Sequence, residues 1–227
     1  MRKIEKSPNI PSTLVNAPVP ACSAEVSAAI YKADDVRRQL VTDQNYKCAY
    51  CECDLTIHYN DVEHYRPKSR YYWLGHKWEN LLYACDLCNR TYKNDAFPLK
   101  DEDRKVTEPG SVAQEEPLLI NPSQDEPINH IKFRRHEAVA ISPEGINTIE
   151  VFHLNDRNER FELVTGREQL YELFEIENKK KNVARLALQK GKISQAAYDT
   201  IIALCNETIN NLTSPSRAYS GMLIAQI

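Results

Sequence analysis

Apolar positions along this 227-residue chain change their spacing several times, and each change predicts a different element. The first 24 residues contain Pro8, Pro11, Pro18 and Pro20, which fix φ and withhold backbone donors, so this stretch predicts an extended arm. From Ser23 or Ala24 to about Leu40, the stripe of Val26, Ile30 and Ala33 predicts a helix. Apolar runs near Val62 and over Leu81 to Ala84 predict two strands, with a helix starting at about Cys88. Ile128, Ile131 and Phe133, then Ala138 to Ile141, read as short strands. Ser142-Pro143-Glu144-Gly145 reads as a turn and Ile149 to Leu154 as another strand. Two helices follow: residues 166–189, with Leu170, Leu173, Phe174, Val183 and Leu186, and one capped by Ser194 whose apolar face is Tyr198, Ile201, Ile202, Cys205, Ile209 and Leu212.

The expected class is α+β in four segments: an arm and helix (1–41), a core (42–100), an acidic linker or covering loop (101–127), and a small β region with closing helices (128–227). No apolar run approaches the roughly 18 residues of a membrane span, and no secretory apolar region opens the chain. Seven cysteines then fit a metal site in a reducing compartment better than a disulfide frame, and the expected location is cytoplasmic.

A net charge of −3 argues against indiscriminate nucleic-acid binding, but the charge is unevenly placed. From His64 to Lys93 six basic residues face two acids; from Asp101 to Pro127 eight acids face two bases. A local positive site beside a negative segment suits phosphate binding that is restrained, although a solvated acidic loop explains the second segment equally well.

The chemistry is concentrated in two knuckles, Cys48-Ala49-Tyr50-Cys51 and Cys85-Asp86-Leu87-Cys88. Two such pairs supply the four thiolates of a structural tetrahedral zinc site, with Zn–S bonds of about 2.3 Å. Cys53 is surplus to that tetrad and reads as a bystander. A plain zinc ribbon separates its pairs by roughly fifteen to twenty residues; here Cys51 and Cys85 enclose 33. The insertion carries Glu63-His64, the cations Arg66, Lys68 and Arg70, several aromatics, and Asn80, and the second knuckle runs into Asn89, Arg90 and Lys93.

Hydrolysing a phosphodiester requires a base for water and a cation for the charge growing on phosphorus-bound oxygens. His64, with an ordinary pKa of about 6.5, suits the base. Glu63 and Asn89 offer hard oxygens for Mg²⁺ or Mn²⁺. Neighbours on a regular strand face opposite ways, so Glu63 and His64 share a site only through a bulge or the strand end; otherwise Glu63 acts indirectly. Arg66, Lys68, Arg70, Arg90 and Lys93 are the expected phosphate contacts.

Over about Cys48 to Leu99 the pattern resembles the HNH endonucleases of the ββα-metal superfamily, and within it those of retron and Septu anti-phage systems. The likeness rests on Met1-Arg2-Lys3-Ile4, Glu63-His64-Tyr65-Arg66-Pro67-Lys68, Trp78-Glu79-Asn80-Leu81-Leu82, Cys85 to Asn89, and Phe97-Pro98-Leu99. Asn89 stands where the second histidine is usual, and Glu63 where Asp is usual before the catalytic His. The resemblance implies a zinc-stapled ββα-metal core in which Asn80 pins the loop carrying His64. It also implies a PtuA-like ATPase partner, in retron systems a reverse transcriptase with its RNA–DNA product, and DNA or RNA, including tRNA, as substrate. A second class stays open: a non-catalytic zinc-stabilised module binding nucleic acid or a partner. The proline-rich arm and the closing helices, with Ile201, Ile202, Leu212 and Met222-Leu223-Ile224, are the expected docking surfaces.

Overall fold

The computed structural model describes residues 1–226 and mixes α and β. Its centre is an antiparallel hairpin, β1 (Asn60–His64) with β2 (Leu81–Cys85), in the register Asn60 to Cys85 through His64 to Leu81. All five β2 residues are buried, as expected for a strand covered on both faces.

The arm folds back instead of projecting. It contains a one-turn helix, α1 (Ser12–Val15), buries Ile4 and Leu14, and pairs the Ile4 amide with the Pro122 carbonyl. The single helix expected to Leu40 is broken into a 3₁₀ turn (Ser23–Glu25), α2 (Ala28–Tyr31) and α3 (Asp34–Asp43). Val26 and Ala33 are extended, and Asp34 and Asp35 open α3 where acids favour the helix dipole. The apolar stripe reported burial, not continuity. Gln44, just past α3, locks it to the hairpin by donating to the Tyr83 carbonyl (2.7 Å) and accepting from the Tyr83 amide (2.8 Å).

After β2 the chain enters a π-helical turn, Leu87–Lys93, where a regular α-helix was expected. Residues 101–127 pack as a covering loop, with Glu115, Leu119 and Ile120 buried. A second hairpin, β3 (Ile131–Arg134) with β4 (Glu137–Ala140), leads into α4 (Pro143–Val151). The turn and strand expected over 142–154 are thus replaced by a helix. Ser142 caps it by accepting from the Gly145 amide (3.2 Å), and Pro143 occupies its first turn, where proline has no partner to lose. Gly145 is required there, because a Cβ would collide with the His130 carbonyl.

α5 (Phe161–Gln189) begins earlier than its periodicity suggested and forms a helical hairpin with α6 (Gln195–Leu212), whose cap is Ser194. α7 (Ser220–Ile224) returns the chain to β3 through the Phe133 amide and the Ala225 carbonyl (2.8 Å). Met222 and Leu223 are buried there, so of the terminal apolar run only Ile224 is exposed. One apolar core joins both hairpins; in it Tyr50 of the first knuckle stacks on Phe152 at 4.1 Å. Among the described residues no helix is long and apolar enough to cross a membrane.

Candidate functional site

β1 pairs with β2 without a bulge, so Glu63 and His64 diverge as a regular strand demands. Glu63 turns to Lys93, whose ammonium lies 2.6 Å from its carboxylate; both are buried. Burial raises the Glu63 carboxyl above its ordinary range despite the opposing pull of Lys93. Its carboxylate is engaged by that ion pair, and the residue also lines the cleft on which His64 opens.

His64 packs its ring edge-on to Tyr31, with centroids 4.6 Å apart. Its Nε2 lies 2.9 Å from the Gly75 carbonyl oxygen, and a carbonyl only accepts, so Nε2 carries the hydrogen and Nδ1 the lone pair. Burial lowers its pKa to about 4, keeping the ring neutral at neutral pH. Asn80 holds the surroundings of this ring from two sides. Its Oδ1 accepts from the Arg66 amide (2.8 Å) and its Nδ2 donates to the carbonyls of Arg66 (3.1 Å) and Leu74 (3.3 Å), while its own carbonyl accepts from the Tyr65 amide (2.9 Å). The strand exit after His64 and the loop presenting the Gly75 carbonyl are therefore tied through one side chain.

His64 opens on a cleft of about 240 Å³ shared with Asp61, Lys68, Asn89 and Arg90. Asn89 donates to the Val62 carbonyl (3.4 Å), which leaves its Oδ1 as a hard donor on the cleft, whose lining also includes Asn94 and Asp95. Of the five cations expected on phosphate, three are engaged internally. Arg66 pairs with buried Glu115, Lys93 with Glu63, and Arg70 donates to the carbonyls of Asp95 and Phe97. Lys68 and Arg90 remain on the cleft. Sequence reasoning missed Lys32, Arg37 and Asp61, which meet at its edge: Asp61 pairs with Lys32, Arg37 and Arg90. Burial works against that carboxylate, yet Lys32, the Val62 amide and Arg90 hold it below its usual range. No local motif marks Asp61, because its partners lie on separate elements.

The thiols of Cys48, Cys51, Cys53 and Cys85 lie within 4.8 Å of one another and are buried, so the four could hold a metal ion such as zinc. The Sγ atoms of Cys51 and Cys85 are 3.7 Å apart, matching the roughly 3.8 Å edge of a tetrahedron with Zn–S bonds of about 2.3 Å. Cys53 thus lies within the cluster, closer to the other thiols than its reading as a surplus residue suggested. Cys88 sits beside it, 3.6 Å from both terminal nitrogens of Arg160, which also donates to the Phe152 carbonyl (2.7 Å). Contact with the Cys48 thiol pulls Cys51 well down and Cys85 to about 5, whereas burial pushes Cys48 and Cys88 up. His153, Asp156 and Glu159 form a more exposed group, in which His153 is already paired with Glu159 at 2.8 Å.

No family model matches this chain. It is similar to Septu protein PtuB. One PtuB, from Bacillus mycoides (strain KBAB4), is 35% identical over 144 residues, covering 56% of this chain and 49% of the relative. Another, from Bacillus thuringiensis, is 33% identical over 154 residues, covering 66% of this chain and 53% of the relative. The chain thus spans about half the length of the curated relatives it matches.

Proposed function

We propose that this chain is an HNH-type endonuclease that hydrolyses DNA or RNA phosphodiesters as the effector of a Septu-like anti-phage system. The observation carrying this reading is the Nε2 contact of His64 with the Gly75 carbonyl, which leaves Nδ1 to take a proton, inside a loop fastened by Asn80. In the proposed reaction water adds to phosphorus as its proton passes to Nδ1. The bond to the leaving oxygen breaks, and that oxygen takes a proton from solvent. Asn89 is the residue that would hold Mg²⁺ or Mn²⁺, with waters and phosphate oxygens completing the shell. When bound, such an ion neutralises charge on the phosphorus-bound oxygens. Glu63 contributes through Lys93, which also donates to the His64 carbonyl (2.9 Å) and so steadies the strand end.

A PtuA-like ATPase is the proposed partner, suggested by the likeness to the PtuB proteins. The outer part of the α5–α6 hairpin suits it as a docking surface, since Val183 and Leu204 are 66% and 60% exposed. The competing reading, a zinc-stabilised binding module without activity, draws on the burial of His64 and on Asn89 in place of histidine. Incubating the protein with DNA and RNA, tRNA included, with Mg²⁺ or Mn²⁺ and with and without the co-expressed ATPase, separates the two. Cutting that disappears in His64→Ala supports the nuclease; absence of cutting under every condition leaves the module.

A further inference from the structure

Three cations converge on one carboxylate at the rim of the cleft. Lys32 at the end of α2 contacts Asp61 Oδ2, Arg37 of α3 places Nη2 3.7 Å from Oδ1, and Arg90 of the π-helical turn places Nη2 3.2 Å from Oδ2. One negative charge cannot balance three positive ones, and the only further acid pairing here is Asp86, 3.2 Å from Arg90, among the described residues. Exposure is graded in a telling way. The Asp61 side chain is 9% exposed, while those of Arg37 and Arg90 are 43% and 64% exposed. The acid therefore sits deeper than the basic groups it pairs with, and both arginine side chains stay partly open to solvent. On the same cleft Lys68 donates to the neutral Tyr31 hydroxyl (2.8 Å) and balances no acid. Glu63, the nearby acid that would compete for these cations, is taken by Lys93.

Planar guanidiniums held by a buried acid present N–H donors in fixed directions, the arrangement that recognises phosphate oxygens at small entropic cost. We propose that Lys32, Arg37 and Arg90 form a subsite for a nucleic-acid backbone phosphate and seat the strand beside His64, so that α2 and α3 act as a clamp. This inference rests on the endonuclease reading. It reaches beyond it by assigning substrate contacts to helices that precede the first knuckle, where the sequence pattern shows no basic motif. These contacts fix the position of the strand and carry no base preference.

The test measures binding of a fluorescent DNA or RNA oligonucleotide to the full chain across a salt series, without added Mg²⁺ or Mn²⁺. Lys32→Gln/Arg37→Gln is expected to weaken binding at low salt and to flatten the slope of log K against log salt by about 1.4 to 1.8, two contacts at about 0.7 to 0.9 each. Zinc content should match the wild type. If the double variant melts early, Lys32→Gln alone is read, with an expected flattening of about 0.7 to 0.9. Unchanged affinity and slope in a variant of a chain that still binds and cuts would overturn the subsite and leave the nuclease intact. A wild-type chain that binds neither DNA nor RNA, with or without the ATPase, would overturn both.

Discussion

The ammonium of Lys93, wholly removed from solvent, lies 2.6 Å from the Glu63 carboxylate and 2.9 Å from the His64 carbonyl. The pair crosses from the π-helical turn to β1, so it fixes the distance between the two elements that bound the cleft. Removing one member strands a buried charge, which costs about 3–5 kcal/mol. Lys93→Met should therefore lower stability by that amount in denaturant unfolding. The pH dependence follows from the direction of the Glu63 shift. Burial already raises its folded-state pKa, and loss of Lys93 raises it further, so ionised Glu63 opposes folding and protonated Glu63 does not. The deficit should be largest at alkaline pH and shrink as pH falls through the raised carboxyl range. A deficit that grows on acidification would contradict this assignment.

His64 supplies the second prediction. Under the proposed endonuclease reading, His64→Ala should reduce cleavage by about 10² to 10⁴, the loss expected for a general base, while metal content stays at the wild-type level. Because burial lowers the imidazole pKa to about 4, the acid limb of kcat/KM for the free protein should fall near pH 4 and not near 6.5. The same shift stabilises the fold above the unfolded-state pKa of about 6.5 and is lost as pH drops through about 4. Pre-steady-state cleavage across this range, with unfolding followed in parallel, checks both.

The sulfur cluster makes the third. Cys85 lies within the four-thiol group and 3.7 Å from Cys51, so Cys85→Ser should release the metal and unfold the core together. Structural zinc contributes on the order of 10–16 kcal/mol in small metal folds at neutral pH. Cys53 belongs to the four-thiol group, whereas Cys88 accepts from Arg160 beside it, so the larger loss of zinc affinity is expected for Cys53→Ser. Metal analysis of the two serine variants decides which sulfur completes the tetrad.

What the sequence revealed about this molecule depended on how local the signal was. Ser194 as a cap and the α6 face at helical spacing are written within one turn of chain, and both lie where the pattern put them. The knuckles were legible for the same reason, and three of their cysteines, Cys48, Cys51 and Cys85, fall in the four-thiol group; the fourth there is Cys53, which follows the bend at Glu52, whose φ of 62° no spacing rule announces. Ser142-Pro143-Glu144-Gly145 shows a local signal read at the wrong length: the residues of a turn are also those of a helix cap, and burial of Thr148 and Phe152 chose the helix. Charges were the least legible. Arg66, Lys93 and Asp61 look alike as surface groups in the sequence, and only long-range packing decides that the first two are consumed internally and the third gathers a cationic rim.

The last prediction concerns the acidic loop. Glu115 anchors residues 101–127 through three contacts: the Arg66 guanidinium, the Tyr71 hydroxyl (3.0 Å) and the Val106 amide (2.7 Å). Its carboxylate is wholly buried, so the loop is held by one ionic plug and not by its many exposed acids. Exposed pairs such as Lys100 with Glu116 are screened by water and hold little, whereas an uncompensated Arg66 would cost about 3–5 kcal/mol. Glu115→Ala should therefore release the loop, and protease should nick the chain between Asp101 and Pro127 at concentrations the wild type resists. Glu116→Ala, which removes only surface pairs with Lys100 and Arg104, should leave the digestion pattern unchanged. Zinc content should hold in both, because neither glutamate approaches the cysteines. Equal protease resistance in the two variants would show that Leu119 and Ile120, buried at the end of the segment, hold it down without the plug.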